Sequence, residues 1–332
     1  MAKDKVGIGV AGLGFVGGQA HVPAIKRIEN AELVAVIDVI EELAVNVAKK
    51  HDVKYYSDFS KALKDPMIEA VIVAVPTPFH YRLASEAIAN GKHVLLEIPM
   101  TPTIAEAEKL RDQAKKAGVI LMPDLNFHFT SVYVKAKELI DQGAIGEPIA
   151  VTFSEYIAAK DLAAQWPPGS WAWDIKRAGG YPDYTLSFWS IDLVRWLIGE
   201  IKEVQWLCNY SPLHGFEKVT GYNTVGIMKF SNDAVGNMHY SSTVVRGEGA
   251  SRLDVFGDNT KSLRTIWNSS LTLMGEGEEK KTWEFNERGT RAWGHRQIDE
   301  YFASCILKGE RPTITADDAI EVQRVAKKMV KE

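Results

Sequence analysis

The first third of the chain is built from short, unbroken apolar runs. They occupy Val6–Ala11 and residues 33–37, 70–75 and 119–122, with a further strand expected over 93–97. Runs of this length suit strands buried on both faces of a parallel sheet. Helical segments separate them. One spans residues 81–90 and is closed by Gly91 as a C-terminal cap. Another opens with the capping box Thr103 and Glu106 and stops near Gly118. Strands alternating with helices imply a doubly wound parallel sheet. The pattern changes near residue 125. After one more helix, 131–142, the chain becomes strand-rich over 204–210, 222–230, 234–243 and 253–256. Consecutive strands without intervening helices favour an antiparallel or mixed sheet. Helices are expected at 186–198, 294–307 and 316–330.

One junction in this pattern carries chemistry. The first apolar run leads directly into Gly12-Leu13-Gly14-Phe15-Val16-Gly17, and the second ends at Asp38. Strand, glycines, helix, strand and terminal acid in this order form a dinucleotide-binding fingerprint. The first glycine allows the tight turn, the second lets backbone approach a pyrophosphate, and the third lets helix and strand pack closely. Asp38 is placed to accept hydrogen bonds from a ribose diol. Its charge repels a 2′-phosphate, and Val39 and Ile40 follow it where an Arg could have bound one. NAD is therefore expected in preference to NADP. Ligands on such sheets bind beyond the C-terminal strand ends. Here those ends carry Pro76-Thr77-Pro78, Glu97-Ile98-Pro99 and Asp124 to Asn126 as well as the glycines.

Composition narrows the partners. A chain of 332 residues fits two domains. The division expected is an NAD-binding domain over 1–124 and an α+β substrate and oligomerisation domain over 125–332, the last helix packing back on the first domain. A net charge of −4 gives no electrostatic case for nucleic acid or an anionic membrane. No apolar run is long enough for a membrane span. The segment Met1-Ala2-Lys3-Asp4-Lys5 enters the first strand directly, leaving no room for a signal peptide, so a cytoplasmic location is expected. The 2 cysteines, Cys208 and Cys305, make no framework. No His, Cys, Asp or Glu group has ligand spacing, so no metal is expected.

Along nearly its whole length the sequence resembles the Gfo/Idh/MocA oxidoreductases. The resemblance rests on the glycine fingerprint with Asp38, Val75-Pro76-Thr77-Pro78 with His80, and Ala89-Asn90-Gly91-Lys92-His93-Val94-Leu95-Leu96-Glu97. Further matches are Asn126, Gly143-Ala144-Ile145-Gly146-Glu147-Pro148, Ala178-Gly179-Gly180, and Asp192-Leu193-Val194-Arg195-Trp196-Leu197-Ile198-Gly199. It implies a Rossmann domain followed by a domain on an open, mostly antiparallel sheet, through which dimers or tetramers form. It also implies NAD(P)-dependent chemistry on a sugar, inositol or related cyclic hydroxyl or carbonyl compound. The cofactor contacts it implies are Gly12, Gly14, Phe15, Val16, Gly17, Asp38, Pro76, Thr77, His80, Glu97 and Asn126.

The usual catalytic side chains are missing from this resemblance. The family's Glu-Lys-Pro reads Glu97-Ile98-Pro99, and its Asp and His positions fall on Thr185 and Trp189. An acid–base group typically contributes ~10²–10⁴-fold to such a reaction. Tyr184 or Asp183, assisted by Lys176 or His128, are the replacements expected. Trp166, Trp173, Tyr181 and Trp189 are expected to face a substrate ring, since aromatic faces pack on sugar C–H faces. Arg291 and His295 are weaker candidates, and His21 reads as structural. Beside a dehydrogenase stand two alternatives. One is a catalytically silent NAD-binding sensor, and the other an enzyme that uses NAD transiently without net redox.

Overall fold

The computed structural model describes residues 4–213, 216–245, 251–267, 269–287 and 293–330, with 216–218 described by backbone alone. Arg291 lies outside these residues. The chain divides into two compact units, 1–126 with 288–323, and 127–287 with 324–332.

The first unit holds β1 (Val6–Ala11), β2 (Ala31–Ile37), β3 (Lys54–Tyr56), β4 (Ala70–Val73), β5 (His93–Leu96) and β6 (Leu121–Pro123). They form a parallel sheet in the order β3-β2-β1-β4-β5-β6. The order reverses between β1 and β4, which makes their C-terminal ends the topological switch point. Every residue of β1 and β4 is buried, as the apolar runs require. The connecting helices are α1 (Val22–Ile25), α2 (Glu41–His51), α3 (Phe59–Ala62), α4 (His80–Ala89) and α5 (Ile104–Ala117). At the head of α5 the Thr103 hydroxyl oxygen accepts from the Glu106 N–H and donates to the Glu106 carboxylate, and Gly118 at φ 70° ends the helix. The helix after the glycine loop is short. Gly17–His21 makes a π-helical turn before the four residues of α1. Pro23 in that first turn has no N–H to donate.

The second unit holds α6 (Ser131–Asp141), β7 (Pro148–Tyr156), α7 (Ala159–Gln165), α8 (Ile175–Ala178) and α9 (Pro182–Ile198). Seven strands follow: β8 (Ile201–Leu213), β9 (Phe216–Phe230), β10 (Val235–Ser241), β11 (Ser251–Gly257), β12 (Lys261–Ile266), β13 (Ser270–Gly275) and β14 (Lys281–Glu284). They form one sheet in the order β14-β13-β12-β11-β7-β10-β9-β8. Only the β7–β10 pair is parallel among these strands. The sequence pattern missed β12, β13 and β14. Their exposed positions are rich in Lys, Arg, Thr and Glu, so the apolar signal is thin. Helix α9 is buried on every side except at Trp189 and Trp196. Its even hydrophobicity is that of a helix enclosed by its surroundings. Two helices close the chain, α10 (His295–Lys308) and α11 (Ala316–Lys327). Helix α10 and α11 as far as Gln323 group with the first unit; the end of α11 groups with the second. Among the described residues no helix is long and apolar enough to cross a membrane.

Candidate active site

The glycine loop takes the form its chemistry requires. Gly12 sits at φ +89°, and an added Cβ would lie 2.4 Å from the Ala74 carbonyl oxygen. At Gly17 an added Cβ would lie 1.8 Å from the Gly12 carbonyl oxygen. The turn after β1 therefore closes on β4 with no room for a methyl group. Gly14 faces open space, with nothing within 4 Å of an added Cβ. That bare backbone is where a pyrophosphate can approach. The Asp38 carboxylate spans the loop: Oδ2 accepts from Leu13 N–H at 2.8 Å and Oδ1 from Ile40 N–H at 2.9 Å. It stays part-exposed with lone pairs to spare for a diol, flanked by Val39 at 87% and Ile40 at 60% exposure. Phe15 is 51% exposed beside the same loop. These residues fit NAD, and none offers a cation to a 2′-phosphate.

Other expected cofactor residues stand differently. Thr77 is buried at the end of the β4 loop, and Pro76 precedes it in extended backbone. His80 is fully enclosed, its Nδ1 2.8 Å from the Pro99 carbonyl oxygen and its Nε2 2.7 Å from that of Val75. It braces the β4 loop against the segment after β5. Burial lowers its pKa despite those carbonyls.

Glu97 and Asn126 belong to a buried polar cluster. His21 lies at its centre with no exposure, Nε2 3.0 Å from Glu97 Oε1 and 3.2 Å from Asp124 Oδ2, and Nδ1 2.9 Å from Asp299 Oδ1. Asn126 Nδ2 donates to His295 Nε2 at 3.2 Å. Burial tends to lower the His21 pKa, but the Asp299 charge and the contacts to Asp124, Asp299 and Glu97 raise it well above the ordinary value. Burial and the neighbouring Asp124 push Glu97 up to about 8, and burial lifts Asp299 to about 6. Asp124 is held low against its burial by His21. Burial drives His295 down to about 4. Reading His21 as merely structural misses this setting. Its partners come from three other segments, so no local spacing announces the group.

In the second unit the expected catalytic residues separate. Tyr184 is fully buried, its ring packed on Gly180 and edge-on to Phe188 at 5.3 Å. Lys327 Nζ lies 5.5 Å above that ring. Asp183 is buried and accepts from Tyr210 Oη at 2.9 Å and Thr224 Oγ1 at 2.5 Å. Burial raises its pKa against those two hydrogen bonds. Lys176 is exposed on α8. His128 alone of the four combines partial exposure with a carboxylate partner. Its Nε2 is 2.7 Å from Asp192 Oδ2, and its ring stacks on Trp196 at 4.3 Å. Sequence reading did not single out Asp192 for this role, because the partners lie on different elements.

The aromatic residues expected at a substrate are half-buried: Trp166, Trp173, Tyr181 and Trp189. Trp173 Nε1 donates to the Trp166 carbonyl at 2.8 Å, and Tyr181 stacks on Tyr210 at 4.1 Å. Trp189 Nε1 is buried without a hydrogen-bond partner among the described residues.

Comparison with known proteins agrees with this construction. Residues 6–125 match the oxidoreductase family's NAD-binding Rossmann fold, and residues 137–332 match its C-terminal alpha/beta domain. The chain is 29% identical to myo-inositol 2-dehydrogenase of Thermotoga maritima, covering 98% of this chain and 96% of that protein. It is 27% identical to scyllo-inositol 2-dehydrogenase (NAD(+)) of Bacillus subtilis, covering 96% and 91%. A solved levoglucosan dehydrogenase in complex with NADH and levoglucosan superposes with a TM-score of 0.85 at 20% identity, over 98% of this chain and 96% of that one, and so shares the fold. With a glycine cradle and acid suited to NAD, and both domains matched, the chain belongs to the Gfo/Idh/MocA oxidoreductase family.

Proposed function

We propose that the protein is an NAD-dependent dehydrogenase of a cyclic polyol or sugar, working as a homo-oligomer and using His128 with Asp192 as its acid–base pair. The intact cradle of Gly12, Gly14 and Gly17 with Asp38 carries the reading. The names of the inositol and levoglucosan dehydrogenases support the substrate class.

Bound NAD supplies a two-electron acceptor for hydride. The remaining work falls to side chains. Removing the hydroxyl proton as hydride leaves needs a base within reach of solvent and held in one orientation. The His128 ring is partly exposed and stacks on Trp196, while its buried Nε2 faces Asp192, which leaves Nδ1 as the nitrogen to take the proton. A carboxylate beside an imidazole also stabilises the imidazolium formed when the proton moves. The half-buried aromatics Trp166, Trp173, Tyr181 and Trp189 offer faces to ring C–H groups.

The test is reduced-nicotinamide absorbance with NAD and a panel of inositols, aldoses and anhydrosugars. Turnover on at least one is expected. His128→Gln should then lower kcat by ~10²-fold or more and remove an ionisation from the pH profile, leaving NAD affinity unchanged. Wild-type turnover with His128→Gln unaffected would remove the acid–base assignment and leave the dehydrogenase. A second reading, a silent NAD-binding sensor, is favoured by one observation: Ile98, only 5% exposed, stands at the family's lysine position. It predicts melting shifts with NAD and sugar but no turnover on the whole panel.

A further inference from the structure

The buried cluster in the first unit has the composition of a transition-metal site. Its four donors are His21 Nε2, Glu97 Oε1, Asp124 Oδ2 and His295 Nε2, all within 4.8 Å of one another. We propose that His21, Glu97, Asp124 and His295 form a closed, four-coordinate site for a divalent transition-metal ion, with zinc the ion of first choice.

The donor spacing supports this. Bonds of 2.0–2.1 Å in a tetrahedral site place neighbouring donors ~3.3 Å apart. The His21 contacts to Glu97 and Asp124 measure 3.0 and 3.2 Å. The His295 contacts to the same two carboxylates measure 3.9 and 4.0 Å, so His295 needs to move inward by roughly 0.7 Å to close the site. Two imidazoles and two carboxylates are a donor set suited to zinc and its divalent neighbours.

The surrounding hydrogen bonds are those of ligands already oriented. Asp299 Oδ1 lies 2.9 Å from His21 Nδ1. A carboxylate on the far nitrogen keeps a proton there, so a metal would displace only the Nε2 proton that faces Glu97 Oε1 at 3.0 Å. His295 Nε2 lies 3.2 Å from Asn126 Nδ2, a contact that the metal would replace as the ring moves inward. Asp124 is fully buried, its Oδ2 3.2 Å from His21 Nε2, and neither of its oxygens reaches good hydrogen-bond geometry among the described residues. A buried carboxylate in that state is costly unless paired or coordinated. A divalent ion with two neutral imidazoles also balances the charge of Glu97 and Asp124.

The position in the fold gives the ion a structural role. Its ligands come from the turn after the glycine loop, the ends of β5 and β6, and the start of α10. All four side chains are buried, which leaves no open coordination position for substrate. The ion would pin the glycine-loop helix to the strand ends and to α10.

The experiment uses the full chain, purified without a histidine tag and dialysed against zinc-containing and then metal-free buffer. Elemental analysis should find about one zinc per chain, and cobalt(II) substitution should give the intense visible bands of four-coordinate geometry. Asp124→Asn and His295→Gln should each abolish stoichiometric retention, while Asp299→Asn should weaken binding by ~10–100-fold. His51→Gln, at the end of α2 and outside the four-donor cluster, should change nothing. A folded wild-type chain that retains no zinc or cobalt overturns the proposal, as does zinc that persists in both Asp124→Asn and His295→Gln. If those variants do not fold, the cobalt spectrum of the wild type decides alone. An imidazole NMR signal showing His21 doubly protonated in saturating zinc would assign the centre to a proton and also overturn it. None of these readouts depends on NAD or turnover, so they stand apart from the dehydrogenase reading.

Discussion

A single methyl group is enough to test the cofactor cradle. Gly17→Ala places a Cβ against the Gly12 carbonyl oxygen, which is backbone and cannot swing aside. The loop must open, and the N–H groups that face a pyrophosphate lose their alignment. NAD affinity should fall by at least ~10-fold, about 1.4 kcal/mol, as measured by calorimetry. Unchanged affinity would show that the loop does not hold the cofactor. Residues of this kind were legible in the sequence because their meaning is local: the glycines and Asp38 act through backbone a few residues away. His21 was not legible, although it lies four residues beyond Gly17. Its meaning depends on Glu97, Asp124, His295 and Asp299, which only the fold brings to it. Tyr184 shows the opposite case. Its place in a motif suggested chemistry, but Gly180 and Phe188 enclose its ring.

At the scale of elements, strand β7 carries a titration that burial alone creates. Glu155 points to the covered face of the sheet with 8% exposure, and its carboxylate has one weak partner, Ser251 Oγ at 3.4 Å. Burial pushes its pKa from 4.5 up to about 7. The phenols of Tyr133, Tyr222 and Tyr240 are raised by their own burial and also by the Glu155 charge. Below about pH 4.5 both folded and unfolded chains hold this proton, and the site is neutral in its effect. As pH rises toward 7 the unfolded chain releases it first, so native stability falls, by about 3 kcal/mol once both states are ionised. Glu155→Gln removes that dependence. Urea midpoints at pH 5 and 8 should show the variant gaining on the wild type by about 2 kcal/mol across that interval. A gap that stays constant with pH would mean that Glu155 is ionised in both states. Nothing in the sequence marks this residue beyond its place in a strand. The alternation of β7 predicts which face it occupies, whereas its isolation depends on the aromatic side chains of neighbouring elements.

Over the whole molecule, the eight-stranded sheet has one face whose apolar side chains the described residues leave exposed. Alternation sends Val151, Phe153, Met238 and Leu253 to the covered side. The opposite side presents Leu207 at 79% exposure, Ile227 at 58%, Val235 at 55% and Val225 at 40%. Register brings these into one patch: Leu207 lies opposite Val225, Gln205 opposite Ile227, and Val235 opposite Lys229. Along the same face Asp254 lies between Arg252 and Arg264, 2.6 Å from each, giving the patch a polar border. Scattered exposed apolar residues need no explanation, but a contiguous apolar patch with a polar rim marks a protein interface. A flat sheet face that meets a second copy of itself also makes the self-complementary contact of a two-fold dimer. Light scattering at micromolar concentration should therefore give at least twice the mass of the 36.9 kDa chain. Placing like charges at the centre, with Ile227→Lys and Leu207→Lys together, should return the mass to that of one chain while the far-ultraviolet circular dichroism stays unchanged. Both substitutions lie on the exposed face and leave the covered one intact, so a monomeric variant with a native spectrum would report on association and not on folding. A wild type that already runs as a monomer would leave this patch to a partner other than a second copy.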